Sequence, residues 1–138
     1  MAFTEYDGVL FRPPPPRPLD GELWGPLHEN REPDRFTGEF YVHPVIRMSV
    51  PTLQTLCNAM GELPYETNGG FGDRWIAVLC EKAGVAMVND RGTYSQNSLD
   101  HPDFLARACA CVAVGGWGVH GVKHPSMLTA LLAARQSG

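Results

Sequence analysis

The chain has 138 residues, of which 43% are hydrophobic and 19% charged, with a net charge of −4. One folded unit accommodates that length, and the apolar content excludes wholesale disorder. The acidic balance, with a pI near 5.7, makes nucleic acid an unlikely partner, since a chain built to hold it carries a basic excess. No stretch approaches the roughly 18–20 continuous apolar residues of a membrane span. The N-terminal Met-Ala-Phe-Thr-Glu-Tyr-Asp has neither the positive start nor the apolar run of a signal peptide. The expectation is a cytoplasmic protein with no membrane partner.

Charge is unevenly placed. Residues 1–44 hold eight acids against four arginines, so the whole negative excess lies in the first third, as do eight of the twelve prolines. Within it, Arg12-Pro13-Pro14-Pro15-Pro16-Arg17-Pro18 is polyproline II, because each ring fixes φ and a residue before proline is pushed out of the α region. The apolar residues around it (Phe3, Tyr6, Val9, Leu10, Phe11, Leu19, Leu23, Trp24, Leu27) are too many for a solvated linker. Residues 1–35 therefore read as an extended, acidic, proline-rich arm packed on the body or on a partner. Residues 36–138 read as an α+β body.

From Phe36 to Val42 and from Val45 to Val50, β-branched and aromatic residues predict two strands, with a break or edge at Pro44. Leu53, Leu56, Cys57 and Met60 then fall on one helical stripe, with Ser49 or Thr52 as cap, Pro51 in the first turn and Gly61 at the stop. A loop over residues 63–72 leads to a second helix. Asp73 caps it, its apolar face holds Trp75, Ile76, Leu79, Cys80 and Ala83, and Gly84 ends it. Val85–Val88 is short and apolar, as a buried strand is. Ser98 or Asp100 opens a third helix whose tail, Ala106–Val114, is apolar on nearly every side and is expected at the centre of the fold. The glycine-rich segment 115–123 connects to a last helix with Met127, Leu128, Leu131 and Leu132 facing inward. The expected fold class is α+β: one small domain with about four helices, a small sheet and the proline-rich arm.

Catalytic signals are weak. The four cysteines (Cys57, Cys80, Cys109, Cys111) sit within helical patterns, as small buried hydrophobes do in a reducing compartment, and none stands at a helix N-terminus where its thiolate would be stabilised. No Gly-x-Ser-x-Gly elbow is present. His120 and His124 are four apart but separated by Gly121, and Cys109 and Cys111 point to different faces, so neither a metal nor another cofactor is expected. A small enzyme with a site drawn from His43, Asp90, His101 or His120 is one alternative.

Another alternative uses the two glycine-rich loops, 68–73 and 115–124. Glycine lets backbone N–H groups approach an anion closely. Asn68, Gly69, Gly70, Arg74, Trp117, His120, Lys123, His124 and Ser126 would then hold a nucleotide or other small anionic ligand.

The leading expectation is a non-catalytic binding protein, an inhibitor or immunity-type factor of the sort phages and mobile elements encode. Aromatic side chains and arginine dominate protein interfaces. Tyr6, Phe11, Arg12, Arg17, Trp24, Arg31 and Arg35 would supply the contact, with a protein partner or a second copy in a homo-oligomer. On this view residues 36–138 are a scaffold that folds without the arm.

Overall fold

The computed structural model describes residues 2–3, 7–16, 18–31, 40–42, 45–62, 72–95 and 102–138. In chain order these form β1 (Ala2–Phe3), β2 (Gly8–Leu10), β3 (Glu22–Gly25), β4 (Leu27–Glu29), β5 (Phe40–Val42), β6 (Ile46–Met48), α1 (Val50–Met60), α2 (Gly72–Ala83), β7 (Ala86–Asn89), β8 (Thr93–Ser95), α3 (Phe104–Ala113), β9 (Gly118–His120) and α4 (Pro125–Ser137). The strands make a four-stranded sheet in the order β1-β6-β3-β7, a three-stranded sheet β2-β9-β8 and a two-stranded ribbon β4-β5. β3–β7 and β8–β9 are parallel and the other pairs antiparallel. The chain is a single small α+β domain.

The four-stranded and three-stranded sheets each have an apolar layer. Leu23, Ile46 and Met48 from the larger sheet meet Leu56 and Ala59 of α1 and Leu79 and Cys80 of α2, with Trp75 and Ile76 packed alongside. Val119 of β9 meets Phe104, Ala108 and Val112 of α3 and Leu131 of α4, and Phe11 joins them from the arm. Removing a leucine or phenylalanine side chain from water in this way stabilises a fold by about 1.5–3 kcal/mol.

Helix boundaries follow local chemistry. Ser49 caps α1 by accepting from the Thr52 N–H, and Pro51 occupies the first turn. Gly84 follows α2 at φ +69°, a backbone conformation that costs glycine least. Burial by contrast departs from the periodicity in three places. Cys57 and Met60 face solvent although they share the predicted stripe of α1. α3 buries one stripe, Phe104, Ala108 and Val112, and leaves Leu105 and Val114 exposed, so it lies at the edge of its layer. Leu132 of α4 is also exposed. Cys80 behaves as expected: it is fully buried, and desolvation pushes its thiol up to about 12.

The arm is woven into both sheets. β3 lies between β6 and β7, and β2 pairs with β9 through Gly8↔His120, Val9↔Val119 and Leu10↔Gly118. Residues 22–25 thus supply the neighbour that β6 and β7 share.

The two sheets meet at one buried ion pair. Arg47 of β6 donates from Nε to Asp90 Oδ2 at 2.8 Å, with both side chains 4% exposed. Asp90, between β7 and β8, also accepts from the Gly92 N–H at 3.0 Å and the Trp117 indole N–H at 3.2 Å. The Arg47 guanidinium lies 5.4 Å from the Trp24 ring centroid and 5.2 Å from that of Trp117, and its Nη1 donates to the Pro15 carbonyl. Removing one partner of such a pair strands a buried charge. Arg47→Met is expected to lower the unfolding free energy by about 3–5 kcal/mol in urea denaturation, whereas a surface change such as Arg135→Met should cost under about 0.5 kcal/mol.

Candidate functional site

Two arrangements stand out, one buried and one on the surface. The buried one runs along the end of the three-stranded sheet. Ser95 closes β8, His120 closes β9 opposite it in register, and Asp7 directly precedes β2. Ser95 Oγ lies 3.0 Å from His120 Nδ1, and His120 Nε2 lies 3.0 Å from Asp7 Oδ1 in a charge contact that is not aligned as a hydrogen bond. The second carboxylate oxygen of Asp7 accepts from Lys123 Nζ, and its backbone carbonyl accepts from the Gly121 and Val122 N–H groups. His120 Nδ1 either accepts from the Ser95 hydroxyl or donates to its oxygen, according to the ring's tautomer.

Hydroxyl, imidazole and carboxylate in that order can share a proton, as an activated serine requires. The surroundings oppose that use. Ser95, His120 and Asp7 are at most 6% exposed, and Lys123 already balances the carboxylate charge. Burial by itself would raise the Asp7 carboxyl. The Lys123 hydrogen bond and the nearby positive charge of His120 and Lys123 outweigh it and hold the group below its ordinary value.

The surface arrangement belongs to the arm. Phe11 is buried, its N–H bonded to the Trp117 carbonyl at 2.9 Å. Arg12 Nη1 donates to the carbonyls of Val112 and Gly116, each at 2.9 Å. The prolines follow, with Pro13, Pro15 and Pro16 exposed and Pro14 half-buried. The next turn projects Leu19, which is 74% exposed. That turn is held firmly, since the Gly21 N–H donates to Thr52 Oγ1 at 2.9 Å and the Gly21 carbonyl accepts from the Ala86 N–H at 2.9 Å. Val50, at the start of the helix that Gly21 binds, is 49% exposed. Asp20 is exposed, and Glu22 Oε2 accepts from the Trp24 indole N–H at 2.8 Å.

The expected interface residues divide accordingly. Phe11, Arg12 and Trp24 are engaged in the chain's own packing, Arg31 is exposed, and Tyr6, Arg17 and Arg35 lie outside the described residues. The anion-binding set is split between packing units. Arg74 of α2 lies 3.5 Å from the Tyr41 ring centroid and donates to Asn30 Oδ1 at 3.1 Å, while His120 and Lys123 engage Asp7. Trp117 is 2% exposed, out of reach of a ligand. His124 and Ser126 are exposed at the start of α4, and His124 makes no capping hydrogen bond through its side chain. Asn68, Gly69, Gly70, His43 and His101 lie outside the described residues. Asp90, named for an enzyme site, is committed to Arg47.

Among the described residues no cluster of three His, Cys, Asp or Glu side chains is placed to hold a metal ion, and no helix is long and apolar enough to cross a membrane. No protein-family model, curated protein or solved structure matches this chain.

The sequence reading missed Asp7, Ser95 and Leu19. Asp7 and Ser95 carry no local signal, because strand pairing alone brings them to His120 from far along the chain. Leu19 had one: a large apolar side chain between Pro18 and the turn residues Asp20-Gly21 has little chance of facing inward.

A depressed carboxylate stabilises the folded state above its unfolded value and loses that contribution as pH falls through its folded one. Asp7→Asn is therefore expected to be less stable than the parent at neutral pH. The gap should narrow below about pH 4 as the parent's own carboxyl takes up its proton. Urea midpoints measured from pH 7 to pH 2.5 test this.

Proposed function

We propose that the protein is a non-catalytic binding protein of the inhibitor or immunity type, acting on a partner protein through the outer surface of its N-terminal arm. The observation that supports this best is Leu19, a large apolar side chain 74% exposed on a turn that hydrogen bonds fix to α1 and β7. Rigid apolar anchors lose little conformational freedom on docking, which is what makes a few residues dominate an interface. Asp20 beside it, with the acidic excess of the arm, suits a partner with a basic rim, where opposite charge speeds encounter and fixes orientation. Leu19→Asp with Val50→Asp should abolish capture of the partner from host lysate while leaving the melting temperature within about 2 °C. Retained capture overturns the reading.

The Asp7–His120–Ser95 row favours a second reading, a small enzyme that carries an acyl group on Ser95. A fluorophosphonate probe tests it directly. Attack by Ser95 Oγ on phosphorus would displace fluoride and pass the hydroxyl proton to His120. The enzyme reading expects a single adduct in the intact mass, absent from Ser95→Ala; an unlabelled protein rejects it.

A further inference from the structure

The exposed prolines of the arm specify the kind of partner it fits. Polyproline II repeats every three residues, so residues i and i+3 share an edge of the helix. Pro14 is half-buried and is the member of the run that faces the body, behind the buried Phe11. Pro13 and Pro16 share a second edge, and both are exposed. Pro15, on the third edge, is exposed as well. The run thus lies on the protein at Pro14 and presents Pro13 and Pro16 outward as one ridge, with Pro15 exposed beside it.

The run is also anchored at two points. Before it, Arg12 grips the carbonyls of Val112 and Gly116. Within it, Arg47 grips the carbonyl of Pro15. Since proline has no N–H and a fixed φ, and the carbonyl contacts fix its position, little freedom remains to be lost on docking. Leu105 of α3, Val114 just after it and Leu132 of α4 are exposed as well, but lack any feature that selects an occupant.

We propose that Pro13 and Pro16 form a preformed proline-x-x-proline ridge that docks into an aromatic-lined groove of a partner protein, the recognition mode of domains that read polyproline II. The groove's ring faces would receive the pyrrolidine rings at positions i and i+3. This rests on the reading that the arm is the docking surface, and it adds what lies on the other side.

The test is titration calorimetry of the full chain against one representative each of the SH3, WW and EVH1 classes. Binding by at least one representative is expected, weakened tenfold or more by Pro13→Ala with Pro16→Ala and likewise by alanine at the groove's central aromatic residue. Circular dichroism and melting temperature of the double variant confirm that the fold is kept. No binding in any class, or binding that the double variant leaves unchanged, overturns the proposal. Lysate capture separates the two readings. Capture lost in the Leu19 and Val50 variant but kept in the proline variant overturns the ridge and leaves the arm as docking surface; capture kept in both overturns both.

Discussion

The architecture depends on one buried charge pair. Arg47 and Asp90 join a strand of the larger sheet to the entry of the smaller one, and Trp24 and Trp117 cover the guanidinium from the two sides. A pair so deeply placed is costly to desolvate and contributes little net energy by itself. Its value is positional. Because Asp90 also takes the Gly92 and Trp117 N–H groups, alternative arrangements of the two sheets would leave several buried polar atoms without partners.

The same arginine connects the core to the arm. Its Nη1 also donates to the Pro15 carbonyl, so the placement of the proline run follows from the joint between the sheets. Arg12 acts similarly on carbonyls at the end of α3 and before β9. Arg12 of the proline-rich motif thus faces inward, and among the described residues beside it Pro13, Pro15, Pro16 and Leu19 are exposed. Gly118 shows how tight the joint is. A Cβ there would come within 2.7 Å of Val45 Cγ1, and Val45 is itself held at φ +96°, a strained conformation for a β-branched residue.

Much of the fold was legible in the sequence. α1, α2 and α4 follow from stripes such as Leu53/Leu56 and Trp75/Ile76/Leu79/Cys80, together with Ser49, Pro51, Gly84 and Pro125 at their ends. The short strands were not. β8 and β9 have three residues each, too few to show alternation, and Gly118-Val119-His120 is flanked by glycines that mimic a loop. The arm's strands were read only as extended structure, because pairing partners for Gly8–Leu10 lie over a hundred residues away. The uniformly apolar tail of α3 misled for a related reason: composition sets how much of a helix could be buried, whereas its neighbours set how much is. The candidate surface was legible in part, as the proline run advertises its conformation but not which edge faces outward.

The pairing of β2 with β9 bears on biosynthesis. The smaller sheet cannot close until the ribosome has released a segment near residue 120, so β2 waits through the synthesis of over a hundred further residues before its partner strand exists. Pairing over such a distance in sequence is slow, and the intermediates that precede it expose apolar surface and strand edges to aggregation.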